Sequence, residues 1–437
     1  MVSIANGGGC GGGGSGGSCG CGCCCTHNGA KVEEIQPHPV MEQLPGIQYC
    51  INSPPPWIEA LVLGFQHYIM TLGTTVLIPT MFVNQMGGGN VEKAKRFEQI
   101  MRGMQGALIV TSCVQMLISF LGLWRNVVRF LTPLSMVPLI TFTGLGFCYL
   151  GFPMLAKCVE VGLPELILMA IFSQYLPHYV KTKRRICDRF SVLFSISCVW
   201  AYAQILTSSG AYNKASFDTQ ASCRTDHAGL ISGAPWIHIP YPFQWGRPTF
   251  NAGEAFAMMV ASIVASIEST STFLATARYG SATPVPASIL SRGVGWLGFG
   301  TLLVGVFGSV TGPTASVENA GLLALTRIGS RRVIQISAGF MIFFSIIGEF
   351  QLSSGASPVH THPRWFNDIV TVIFTSHATV AALVAMLLDC TLSREDDVAR
   401  KDSGSQWWEK FIFYNADVRS DDFYKLPCKL NKLFPPL

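Results

Sequence analysis

The sequence predicts an all-α, polytopic membrane protein, and three observations lead there. Charged residues make up only 13% of the 437-residue chain, whereas a soluble domain carries roughly 25% Asp, Glu, Lys and Arg to keep its surface in water. The hydrophobic 49% is gathered into blocks of about 20 residues, the length a helix needs to cross the hydrocarbon core. The basic residues fall in short clusters between those blocks and favour alternate ones, the bias that places a loop in the cytosol.

The apolar blocks lie at 57–83, 105–124, 128–152, 162–180, 189–208, 252–276, 289–309, 333–350 and 366–392, with a half-length block at 317–328. Residues 1–56, rich in Gly, Pro and polar side chains, read as a disordered lead. Residues 57–392 form the membrane domain, and 393–437 a charged, aromatic tail. The stretch 209–251 is polar and rich in Pro, Gly, Trp and Tyr, hence a large loop. With the N-terminus in the cytosol, inward loops hold Arg125 and Arg129, the run Lys181 to Arg189, Arg278 and Arg292, Arg327 to Arg332, and Arg394 to Lys401. Outward loops hold Lys93, Lys95, Arg96, Arg102 and Lys157. Both termini are therefore expected in the cytosol, which requires an even number of crossings. Counting 317–328 as one gives about ten.

The composition also excludes several classes. Nucleic-acid binding needs the basic residues on one face, and the net charge of +5 is spread along the chain instead. Six of the 15 cysteines sit in the lead, at Cys10, Cys19, Cys21, Cys23, Cys24 and Cys25, and no evenly spaced disulfide framework is visible. That tail lacks the paired spacing of a zinc finger, so low complexity is preferred to metal binding or S-acylation. No nucleophile elbow or metal motif points to an enzyme. The first 30 residues lack a basic start followed by an apolar run, so insertion is expected to begin with the first span.

Ionisable residues at membrane depth cost at least ~2.5–3.5 kcal/mol and are functional candidates by default. Gln66 and His67 lie about ten residues into the first span, in GFQHYIMTLGTTVLIPT, followed by Thr71, Thr74 and Thr75. The packing reading of a lone His and the cavity-lining reading are evenly balanced there. Glu268 lies deep in a span whose neighbours are small, among them Ser262, Ala265, Ser266, Ser269 and Thr270. Close helix packing explains the small residues but not the carboxylate. In TGPTASVENAGLLALTR, residues 311–327, Gly312 and Pro313 end one span, and Glu318 and Asn319 open a half-helix. Broken helices are tolerated at such depth where they line a cavity, and the half-helix N-terminus offers partial positive charge and free N–H groups. The run QMGGGN at 85–90 has no preceding strand and no following Lys-Ser/Thr, so it is not a phosphate loop.

These residues together resemble the nucleobase–ascorbate transporter family. VENAGLLALTR is similar to its signature, with Glu318, Asn319, Gly321, Thr326 and Arg327 at the matching positions. Gln66 and His67 match its Gln-His element, and Glu268 its carboxylate-bearing span. SQYLPH, GAPWIHIPYPFQWG and HTHPRWFND look like plant members, and the resemblance runs from about residue 43 to the C-terminus. It implies two inverted repeats divided into a core and a gate domain, the core moving against the gate in the plasma membrane. The implied substrates are nucleobases of the purine, pyrimidine, xanthine or uric acid class, or ascorbate, taken up by symport on a proton gradient with no cofactor. By the same resemblance Glu268 and Glu318 would bond ring N–H groups and couple protons, while Gln66 and Asn319 would organise the site.

The family normally has fourteen spans, and this chain is expected to lack four. It runs from EKAKR at 92–96 straight into FEQIMRGMQGALIV, and from MIFFSIIGEF at 341–350 straight into QLSSGASPVHTHPRWFND. Each gap removes an even number of crossings, so parity survives. Two readings stay open: a carrier that tolerates the gaps through contacts in a homodimer, or a truncated, transport-silent relative acting at most as a partner.

Overall fold

The computed structural model describes residues 47, 49, 51, 54–86, 91–179, 189–226, 240–280, 282, 285–309, 312–346 and 377–391. Among them the chain is helical, and one isolated parallel bridge is its only β pairing. Helix α1 is Trp57–Met86, α2 Val91–Phe120, α3 Trp124–Val128 and α4 Pro133–Ala156. Helix α5 (Val159–Ala170) passes through a π-helical stretch (Ile171–Tyr175) into α6 (Leu176–Tyr179). There follow α7 (Ser191–Ser208), the short α8 (Phe217–Cys223), α9 (Ala252–Tyr279), α10 (Ala287–Phe307), α11 (Val317–Thr326), α12 (Arg331–Ile346) and α13 (His377–Thr391).

Among the described residues five stretches are long and apolar enough to cross a membrane: Phe97–Phe120, Leu134–Pro153, Ser191–Ser208, Ala252–Tyr279 and Ala287–Phe307. Phe142, Leu166, Trp200 and Ile205 face outward, as lipid-facing side chains should. The all-α membrane architecture expected from composition is the one observed. The Cys-rich lead and the charged tail lie outside the described residues.

Two boundaries depart from the sequence expectation. Helix α2 begins at Val91 rather than near 105, so Lys93, Lys95, Arg96 and Arg102 lie on a helix and not in a loop. The run VEKAKRFEQ consists largely of good helix formers, and hydropathy cannot see a helix that projects beyond the hydrocarbon. The block expected at 128–152 is also divided. Gly122 turns the chain with φ +69, the five-residue α3 follows, and Pro133 opens α4, the first-turn position where proline loses no helical hydrogen bond.

The helices pack in two groups. Helices α1, α2, α9, α10, α11 and α12 form one, α4 packs on α5 and α13 and α5 on α7 in the other, and α9 meets α4 between them. The tightest seam runs between α2 and α10. A Cβ on Gly298 would come within 2.9 Å of the Met116 side chain and 3.2 Å of its backbone N, and one on Gly305 within 3.0 Å of Ile109. Glycines allow this approach because lipid supplies no hydrophobic drive between helices, so close packing and hydrogen bonds must hold them. The hydrogen bonds are present. Ser119 and Ser291 each donate to the other's backbone carbonyl. Gln115 of α2 donates to Ser266 of α9 at 3.0 Å and accepts from Ser262 at 3.1 Å. Beside them Trp124, Val128, Leu131, Met136, Leu290 and Val294 form the main apolar cluster.

Tyr49, ahead of α1, pairs in parallel with Ile328, ahead of α12. Gly329 N donates to Tyr49 O at 2.9 Å and Arg331 N to Ile51 O at 3.2 Å. Helices α1 and α12 therefore start on the same side, and their faces meet through Phe65, Tyr68, Phe340 and Phe344. Between them α11, ten residues long, covers about 15 Å, half of a full crossing.

Candidate functional site

The break between α10 and α11 follows from local chemistry. Gly308 ends α10 in the left-handed region with φ 73, where glycine alone is free of strain. Residues 312–316 are non-helical, ending in extended Ser316, and Pro313, which lacks an N–H, lies against α10 at Gly300. Ser316 then caps α11, its hydroxyl accepting from Asn319 N at 3.2 Å and donating to the Glu318 carboxylate at 2.7 Å. Such a cap is worth about 1 kcal/mol. A hydroxyl residue just before the helical run was the available signal for Ser316, which the sequence reading passed over. At the far end Arg327 adopts φ 57, a left-handed stop whose N–H returns to Leu323 O at 2.9 Å, and buried Thr326 bonds Leu322 O.

Three elements converge on this break. From α1 comes His67, 2% exposed, with Nδ1 3.0 Å from Asn319 Oδ1. Asn319 Nδ2 lies 2.6 Å from Thr71 Oγ1, which donates to the His67 carbonyl at 3.1 Å. The Thr71 hydroxyl has one proton and has placed it on that carbonyl. It therefore accepts from Asn319, which leaves the Asn319 carbonyl to accept from His67 Nδ1–H. Next to it Gln66 is fully buried, and neither end of its amide has a partner among the described residues.

From α9 come Glu268 and Ser269. The Ser269 hydroxyl accepts from Ala315 N at 3.0 Å, which satisfies an amide of the non-helical leg and holds α9 to the break. Glu268 and Glu318 are both half-buried, Glu268 one residue before Ser269 on α9 and Glu318 in the first turn of α11. His67, Glu318 and Asn319 are thus brought together at one break, and Glu268 lies one residue from the Ser269 that holds it, whereas Gln66 neighbours His67 along α1 and makes no side-chain hydrogen bond to the break among the described residues. The other signature positions do different work. Thr326 and Arg327 end the helix, and a Cβ on Gly321 would meet nothing within 4 Å.

Sequence reasoning also missed a disulfide. Cys158, in the turn between α4 and α5, is bonded to Cys223 at the end of α8, with the Cα atoms 5.4 Å apart. These two cysteines lie outside the apolar blocks, which was the signal, but sequence does not give pairing. Among the described residues no cluster of His, Cys, Asp and Glu has the makings of a metal site.

A helix broken at membrane depth, with carboxyl, amide, imidazole and hydroxyl groups from three elements turned toward the break, is the build of a polytopic membrane transporter. Residues 86–354 match the profile described as Permease family. Putative nucleobase-ascorbate transporter 10 of Arabidopsis thaliana is 47% identical over 94% of this chain and 98% of its own length. Nucleobase-ascorbate transporter 7 of the same plant is 48% identical over 93% of this chain and 97% of its own. Nucleobase-ascorbate transporter LPE1 of Zea mays is 40% identical over 93% and 99%. The chain belongs to the nucleobase–ascorbate transporter family. The first of these alignments runs to 532 positions, more than the 437 residues of this chain, so that relative carries internal stretches absent here. Of the two junctions expected from sequence, 96/97 falls within the continuous helix α2, and 350/351 lies outside the described residues.

Proposed function

We propose that this transporter carries nucleobases across the plasma membrane by proton symport, the α1–α2–α9–α12 group moving as a core against the α4–α7 and α13 group as a gate. The observation that carries the reading is the capped helix break, where Glu318 stands beside Asn319 and His67, and where Ser269, the residue after Glu268, holds the leg that precedes it. A nucleobase edge alternates N–H donors and carbonyl or ring-nitrogen acceptors. Carboxylates accept from its N–H groups, and the Gln66 amide supplies both a donor and an acceptor. Either carboxyl can hold a proton and exchange it as the ring arrives and leaves. The names of the relatives point to the same substrate class.

The test is uptake of labelled xanthine, uracil and adenine by cells that lack their own purine uptake. Accumulation is expected, and a protonophore should abolish it. Glu268→Gln and Glu318→Gln should each lower uptake about ten- to hundredfold, the value of a hydrogen bond to a charged group, with surface protein unchanged. A wild-type chain present at the surface without uptake would make it a transport-silent member of the family.

A further inference from the structure

We propose that residues 243–249 form an outer strap that sets the position of the helix break, which makes Trp245 and Gly106 positioning residues for the site. The inference rests on the functional reading only in naming what the break binds.

A helix ends with carbonyls that have no intrahelical partner, and at the end of α10 the strap supplies partners for them. Phe243 N donates to Val306 O at 2.8 Å. Gln244 Nε2 donates to Phe307 O at 2.7 Å, and Trp245 Nε1 to Gly308 O at 2.8 Å. Three successive carbonyls are held by three successive strap residues. The non-helical leg that carries Ala315 and Ser316 begins only a few residues later, so fixing Gly308 fixes where that leg starts.

The strap has a seat of its own on α2. Arg102 Nε donates to Arg247 O at 2.9 Å, and Thr249 N donates to Arg102 O at 3.1 Å. Trp245 meets Phe97 edge-on with ring centroids 5.3 Å apart. A Cβ on Gly106 would lie 2.0 Å from the Thr249 carbonyl oxygen. That neighbour is backbone, so only glycine admits the strap. Beneath it Gln105 is 1% exposed with neither amide atom partnered among the described residues, its nitrogen turned toward Gly308.

The strap also stores strain. Phe243 adopts φ 58, a region that costs a non-glycine residue roughly 1–2 kcal/mol. Such strain persists where the surroundings over-determine the conformation, and it gathers at sites that need a fixed geometry. A loop that only joined α8 to α9 would have relaxed.

Two variants of the full-length protein test the proposal. Trp245→Phe keeps the ring and removes only the N–H, and Gly106→Ala unseats the strap from α2. Hydrogen–deuterium exchange in detergent should rise severalfold over 309–319 in both, with exchange in α7 unchanged. KM for the transported base should rise about three- to tenfold, the value of one hydrogen bond, while the maximal rate per surface molecule holds. Unchanged exchange over 309–319 in Trp245→Phe would overturn the strap, whatever the transport result. Altered exchange in a chain whose wild type takes up no base would leave the strap standing and remove the nucleobase reading.

Discussion

Asn319 is held on both sides by protein. Its carbonyl accepts from His67 and its amide donates to Thr71, so it joins α1 to α11 before any substrate arrives. Replacing it with Leu would leave a buried imidazole N–H and a hydroxyl lone pair unmatched, at about 1–3 kcal/mol for each group left bare. Asn319→Leu should therefore lower the melting temperature in detergent by several degrees. Gly321, two residues on, should behave in the opposite way. Its Cβ position is open and Ala exceeds Gly in helix propensity by about 1 kcal/mol, so Gly321→Ala should melt no lower than wild type. Equal melting of Asn319→Leu and wild type would show that the three-residue network does not hold the two helices. The sequence made these residues visible because polar side chains stand out against an apolar block. It did not separate the one that joins helices from the one that lies in open space, since both belong to the same short motif.

At the scale of the element, the half-helix is defined by its two ends. Ser316 caps the start, and Arg327 closes the finish with a left-handed backbone that costs an arginine roughly 1–2 kcal/mol. Arg327→Gly should preserve α11 and leave stability equal or raised by up to about 1 kcal/mol, even though it deletes the basic residue of the motif. A fall in melting temperature in that variant would mean that the guanidinium supports the fold through its own contacts. The break was legible because Gly and Pro interrupt an apolar run and an acid–amide pair restarts it. The start of α2 was not, because charge in a helix that extends past the membrane reads as loop. The strap at 243–249 was likewise hidden. Its role depends on which helix end it meets, and that pairing joins residues about sixty positions apart.

For the whole molecule, the disulfide gives a sidedness that can be tested. It joins the turn after α4 to the short helix that follows α7, and so ties the C-terminal ends of α4 and α7 to one another. If that end faces the oxidising exterior, intact cells treated with an impermeant reductant should expose two new thiols to an impermeant maleimide, and a Cys158→Ser/Cys223→Ser variant should expose neither. Removing the link, which closes a loop with a sequence separation of 65, should cost about 2–4 kcal/mol. If reduction adds no label in the wild type beyond that of the double variant, the bond does not lie on that face.

The contact between His67 and Asn319 spans 252 residues. A ribosome adding 5–20 residues per second needs roughly 10–50 s to cover that distance. Through that interval the first span to leave the translocon holds an imidazole and an amide with no complement yet made. Its seat arrives only when the short helix emerges and Ile328, just after it, finds Tyr49. Maturation of this protein therefore has a late, long-range closing step, and anything that shelters a half-made first span from quality control acts before it.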